Sequence, residues 1–393
     1  MPPALPLVAS LRSLSQRPPT IPARSYNASL PNTRGVPMRF RPSWLAPLAL
    51  ACSLSLLSGC AVFDTFSAAP LIARHVPKDY SGVVGVREDA GSRLVTRASG
   101  LALREQAQAN NKDTRFMIGS VTKWISAVTV LRLVDMGKLD LDAPIARHLP
   151  QLPPANGAVT LRQLLSNRSA IPNGLQDALR KDPSMRNLEI GPIAAALRFG
   201  AGPLNATPGQ KWDYSVTNWL LVAAVVERAN NKPFTETVEE LVLAPAKVAN
   251  TGFADVDYED AVGMAVAYGT SGTRKTPPAP PMVAASGTLY STAADLVAIA
   301  DAVYRTQLLS ERARKELMTI HVASEDYALG GRVRTINAKG GARTLAWESG
   351  ASGGYKTLLT YDPRDGRAVV LLNNTDMQQS EQAKIAVALF DAM

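Results

Sequence analysis

The sequence predicts an α/β domain of the α+β kind: an antiparallel sheet flanked by helices, with an all-helical lobe inserted between two sequence-distant parts of the sheet. Three observations predict it. Strand-type apolar segments occur soon after residue 80 and again towards the C-terminus, helical apolar spacing fills the interval, and no internal repeat divides the chain. The 315 or so residues after a leader and tether suffice for one large core or two interleaved lobes.

The first 37 residues carry Pro, Ser and Arg without an apolar period, and no acidic residue precedes Asp64. From Met38 the order changes: Arg39 and Arg41, an apolar run from Trp44 to Leu57, then Leu57-Ser58-Gly59-Cys60. That is the order of a secretory leader with a lipobox, so 1–37 reads as upstream over-extension of the frame, 38–59 as a lipoprotein signal peptide and Cys60 as the lipidated residue. The apolar run is too short for a secure span. Residues 60–78 read as a tether and 79–393 as the domain. With Ala61 after the cysteine, resemblance to bacterial lipoproteins implies a cell-envelope location, lipid-anchored to the outer membrane and facing the periplasm.

Charge follows from this division. The 42 basic residues less six leader arginines leave 36 against 33 acidic, so the formal +9 falls to +3. That balance gives no reason to expect nucleic acid. Cys52 leaves with the peptide, and the three histidines and one remaining cysteine are scattered, so no disulfide, metal or other cofactor is expected.

Ser81 to Val86 and Arg93 to Ala98, joined through Glu88-Asp89-Ala90-Gly91, read as a hairpin. Next comes a strongly apolar helix beginning at Ser120, with Val121, Trp124, Ile125, Val128, Leu131 and Val134 at helical spacing and Gly137 as its stop. Helices are expected over 160–165, opened by a Thr160/Gln163 capping box, and over 217–229, 234–243 and 291–304. A Pro-rich loop covers 273–282. Strands are expected at 327–335, 355–361 and 368–373, with Pro363-Arg364-Asp365-Gly366 turning between the last two, and a helix over 380–392 closes the chain.

The chemistry concentrates in Ser120-Val121-Thr122-Lys123, which puts a hydroxyl and an amine one turn apart at a helix N-terminus. A buried lysine is able to take the serine proton, and the free N–H groups and helix dipole face a developing oxyanion. The competing reading is an N-cap serine with a surface lysine. A buried central helix argues against that, since Lys123 is then no idle solvated charge.

These residues, with Phe116-x-Ile118-Gly119, Gly137-Lys138-Leu139-x-Leu141-Asp142, Leu161-x-Gln163-Leu164-Leu165-Ser166, Pro208-Gly209-x-x-Trp212-x-Tyr214-Ser215 and Ser286-Gly287-x-Leu289-Tyr290-Ser291, resemble the serine β-lactamase and penicillin-binding protein superfamily. The likeness is to class C enzymes and related esterases and D-aminopeptidases, over most of 80–393. It implies the β-lactamase/transpeptidase-like fold, Ser120 as nucleophile, Lys123 as its partner and Tyr214 sharing acid and base duty. It further implies an oxyanion hole from the backbone N–H groups of Ser120 and Ala351, and a substrate-binding strand segment at Glu348-Ser349-Gly350.

Two positions depart from the family pattern. Val216 stands where an Asn amide orients the lysine, and Glu348 where a Lys or His receives a substrate carboxylate. The expected activity is therefore acyl-enzyme hydrolysis of a neutral or cationic ester or amide, the partner being a small-molecule or peptide substrate. Two other readings stay open: a β-lactamase or D-Ala-D-Ala carboxypeptidase, and a non-catalytic envelope lipoprotein that binds peptidoglycan fragments or a partner. Gly350-Ala351-Ser352-Gly353-Gly354 also matches G-x-S-x-G, proposing Ser352 as nucleophile, but that elbow needs a later histidine and the last is His321.

Overall fold

Apolar strand segments from two sequence-distant parts of the chain form one six-stranded antiparallel sheet in the structure, a computed structural model that describes residues 68–255 and 258–393. Its strands are β1 (Gly82–Arg87), β2 (Val95–Ser99), β3 (Arg332–Ala338), β4 (Gly341–Ser352), β5 (Tyr355–Tyr361) and β6 (Ala368–Asn373), in the spatial order β3-β4-β5-β6-β1-β2. The join between the ends is β1 on β6, from Gly82 opposite Asn373 to Arg87 opposite Ala368. Both strands are buried at every position, as central strands covered on two faces must be. The Arg87 guanidinium makes a two-pronged ion pair with Asp301, and Asp301 also accepts from the Tyr361 hydroxyl. This ties β1 and β5 to the helix over Ala293–Arg305.

One sheet face is covered by α1 (Ala68–His75) and the closing helix Gln379–Ala392, with Ile72, Leu389 and Phe390 packed on Val84, Leu371, Leu358 and Trp347. The tether expected over 60–78 is thus, in its described part, a helix of the domain. It escaped pattern reading because eight residues hold little more than two turns and only Ala68 and Ile72 are buried. The leader, Cys60 and the start of the tether lie outside the described residues.

The other face carries α2 (Val121–Asp135), twelve of whose fifteen residues are buried. The polar ones survive burial by local bonding: Ser126 Oγ donates to Thr122 O at 2.9 Å and Thr129 Oγ1 to Ile125 O at 3.0 Å. On its far side lie α3 (Leu161–Leu165), α4 (Gly174–Lys181), α5 (Pro192–Phe199) and α6 (Val216–Asn230). They are the helical lobe inserted between β2 and β3. The capping box at Thr160 is formed in both directions, with Gln163 Oε1 accepting from the Thr160 N–H at 3.0 Å.

At the third expected strand the boundaries differ. Tyr327 lies in isolated bridges to Val322 and Arg332, and the strand begins at Arg332. The longest strand, β4, has no clean alternation, because Ala346, Trp347 and Glu348 are consecutively buried between helices on both faces. β3 pairs with β4 only up to Trp347, so Glu348 to Ser352 present a strand edge with no partner on that side among the described residues.

Candidate active site

The site forms where that free edge meets the N-terminus of α2. Gly119 adopts φ +52°, and a Cβ there would fall 2.7–2.8 Å from the backbone of Ala351. One on Gly350 would fall 1.9 Å from the Ile118 carbonyl oxygen and 3.1 Å from the Ser120 nitrogen. Two glycines thus let strand backbone and helix entry touch, which side chains would forbid. Ser120 and Ala351 are brought to opposite sides of one small gap, and the Ser120 N–H has no acceptor among the described residues.

Ser120 opens α2 in helical conformation and makes no cap hydrogen bond with its side chain. Its Oγ instead accepts from Lys123 Nζ at 3.1 Å and from Tyr214 Oη at 2.8 Å. The surface-lysine reading is excluded, since Lys123 is 2 % exposed. Its Nζ donates to the Ser286 carbonyl at 2.6 Å and lies 5.0 Å from the Tyr214 ring centre and 5.8 Å from that of Trp219. One carbonyl, one hydroxyl and two ring faces replace water around it. The Ser286 turn is itself pinned to α2, for Ser126 Oγ donates to Ala285 O at 2.9 Å.

Tyr214 precedes α6 and is aimed by packing. Its ring meets Trp212 at 6.1 Å and, edge-on, Tyr327 at 6.3 Å. The chain on either side is held by Asn167, which sits at φ +54°, takes the Asp213 N–H on its carbonyl at 2.8 Å and the Ser215 N–H on its side chain at 3.4 Å. Asn218, two positions beyond Val216, does not substitute for the missing amide. Its side chain is bonded to Ser169 Oγ at 2.6 Å and Asn167 Oδ1 at 3.1 Å, and Lys123 to Ser120 and Ser286 instead.

Glu348 is the surprise of the site. It shares the α2-facing side of β4 with Ala346 and Gly350 and is 3 % exposed, packed so closely on Gly331 that a Cβ there would fall 2.0 Å from its Oε2. Among the described residues it makes no ion pair or hydrogen bond, and Lys123 is bonded elsewhere. Burial pushes its carboxyl up to about 8, with Arg332 pulling the other way. The position where the family pattern has a Lys or His therefore holds a mainly protonated acid near neutral pH. Ser349 falls on the opposite face of β4, with Leu345 and Trp347. Ser352 lies outside the hydrogen-bonded cluster and its own strand partner is Tyr355.

Pattern reading missed Ser286 as an anchor and Trp212 and Tyr327 as supports. Ser286-Gly287 was visible as a motif, but a carbonyl acceptor leaves no side-chain signature. Tyr327 lies 113 residues beyond Tyr214 in the chain and meets its ring only by way of the tertiary fold.

Fold and site define a protein of the serine β-lactamase type. The family's sequence profile, described as Beta-lactamase, matches residues 73–392, and the chain belongs to that family. It is 35 % identical over 190 residues to Esterase EstB of Burkholderia gladioli, an alignment covering 45 % of this chain and 48 % of that protein. The chain spans about half the length of the curated relatives it matches. Among solved structures it resembles a penicillin-binding protein from Bacillus halodurans, with TM-score 0.70, 25 % identity and coverage of 83 % of this chain and 99 % of that one. A D-stereospecific amidohydrolase from Streptomyces sp. shares the fold at TM-score 0.67 and 22 % identity, over 83 % and 98 % of the two chains.

Proposed function

We propose that this chain is a serine hydrolase that forms an acyl-enzyme on Ser120 with an ester or amide substrate. The observation that carries the reading is the convergence of Lys123 Nζ and Tyr214 Oη on a Ser120 Oγ that serves no cap. Attack on a carbonyl carbon forms the Oγ–C bond as the Oγ proton passes to Lys123 Nζ in its neutral amine form, and collapse of the tetrahedral intermediate breaks the bond from that carbon to the leaving oxygen or nitrogen, which takes the proton back through Tyr214. The negative charge on the carbonyl oxygen falls to the N–H groups of Ser120 and Ala351. Water repeats the sequence to release the acid.

Two observations favour ester and neutral-amide substrates over β-lactams. Glu348 supplies no cation where a carboxylate-bearing substrate would need one, and a relative 35 % identical over 190 residues is an esterase. Neutral or cationic substrates are thus preferred, and Cys60 as a lipid anchor places the reaction in the cell envelope. Cys60→Ala should release the protein from membranes or leave a longer precursor, read by fractionation and mass spectrometry. For the activity itself, a fluorophosphonate probe should label Ser120, and a panel of p-nitrophenyl esters, nitrocefin and D-amino-acid anilides should give turnover chiefly on the esters. No labelling and no turnover would leave the non-catalytic binding reading in place.

A further inference from the structure

At the outer edge of β3 the backbone runs out of partners. The Val333 N–H turns away from β4 and donates to the Asp326 carbonyl at 2.9 Å, and the two-residue alternation of a strand then turns the N–H and C=O groups of Thr335 and Asn337 outward as well. Among the described residues none of these groups has a hydrogen-bond partner, and both residues are exposed. The stretch Thr335-Ile336-Asn337-Ala338 holds no proline, no charge and no bulge, the devices that blunt a free edge. An apolar trough of about 760 Å³ runs beside it, between Ile336 and Trp347 of the sheet and Val387 and Ala388 of the closing helix. Ile320, one of three large apolar side chains left exposed among the described residues, stands at its rim at 44 %.

The edge fits a second copy of itself. The loop through Tyr327 closes the edge as far as Val333 and the strand ends at Ala338, so the free stretch is 334–338 with Ile336 at its middle. Laid antiparallel on its own copy about that centre, Thr335 exchanges both backbone bonds with Asn337 of the copy, and Asn337 does so with Thr335 of the copy. Ile336 meets its own counterpart on the face of the trough, the Thr335 and Asn337 side chains meet on the other face, and Arg334 lies opposite Ala338, so no like charges are opposed. Lys339, exposed at the hairpin tip, arrives at Asp326 of the copy. It brings with it Asp391, whose carboxylate accepts the Lys339 N–H at 2.9 Å, towards the copy's Arg334, which lies 3.3 Å from Asp326. The two ends of the pairing are thus balanced in charge. A shift of one residue sets the outward groups of Thr335 against Ile336, whose own groups are turned to β4, so the register is fixed.

We propose that the chain self-associates through this edge, a second copy adding its β3 antiparallel to β3 about a two-fold axis at Ile336, so that two six-stranded sheets become one and the open side of the trough is closed.

The test is sedimentation equilibrium of the full chain in density-matched detergent from about 1 to 200 µM, where a reversible monomer–dimer equilibrium is expected. Asn337→Pro removes one outward N–H from each chain and no bond between β3 and β4. It should weaken association about tenfold or more while circular dichroism and melting stay as in the wild type. The register is read with Ile336→Cys in a chain that also carries Cys52→Ala and Cys60→Ala. Facing Cα atoms at such a position lie about 4.5 Å apart, so mild oxidation should yield a disulfide-linked dimer, which Thr335→Cys in the same background should not form. A chain that stays monomeric over the whole range overturns the proposal. So does a dimer that Asn337→Pro leaves intact and Ile336→Cys fails to cross-link, since it forms through another face.

Discussion

Ser120, Lys123 and Tyr214 share one proton network, so their removal should not add. Ser120→Ala and Lys123→Ala should each lower kcat/KM by about 10³-fold or more, the double variant should be little worse, and Tyr214→Phe should cut kcat with the fold intact by circular dichroism. Full turnover by Ser120→Ala would return attention to Ser352. Glu348 makes a separate prediction. Its folded pKa of about 8 lies above the 4.5 of a free glutamate, so the stability its protonated form allows is complete below pH 4.5 and is lost as pH rises to about 8. Glu348→Gln should match the wild type in Tm near pH 4 and exceed it at pH 8 and above, where its unfolding free energy should be higher by on the order of a few kcal/mol. Equal Tm differences at both pH values would mean that the carboxyl titrates normally.

At the scale of elements, the approach of β4 to the start of α2 decides whether the gap between Ser120 and Ala351 exists. Gly350→Ala puts a Cβ 1.9 Å from a backbone oxygen that no rotamer change relieves. It should lower kcat far more than it raises KM, because it widens the gap without touching the side chains that hold the proton. Thermal unfolding read alongside separates displacement of the strand from global loss of fold. The capping box is legible from residues 160–163 alone, and Thr160→Ala should cost about 1 kcal/mol without altering kcat. In contrast, α1 and β4 had no usable period, the first being short and half-exposed, the second buried on both faces.

Across the whole molecule, the sheet is closed by residues nearly three hundred positions apart, Gly82 against Asn373 and Arg87 against Ala368. Helix α1 seals the same region from one face, so Ile72→Ala, at 0 % exposure, should cost about 2–4 kcal/mol in denaturant midpoint experiments. A loss below 0.5 kcal/mol would mean that α1 is only loosely docked. Kinetics should be indifferent, since α1 covers the face of the sheet away from α2.

Local physics made much of this readable in one dimension. A two-residue alternation names a strand with one dry face, a three-to-four-residue spacing names a helix, and Ser120-x-x-Lys123 puts two reacting groups on one turn whatever surrounds them. Whether Lys123 is buried, whether Tyr214 reaches Ser120, and whether Glu348 is a charge in a cleft or an acid in a core depend on atoms contributed by Ser286, Trp219, Asn167 and Gly331. Those residues are distant in the chain and have no periodic or compositional link to the groups they control. The tertiary structure decided them, because burial and hydrogen-bond partnership are properties of a neighbourhood in space and not of a segment.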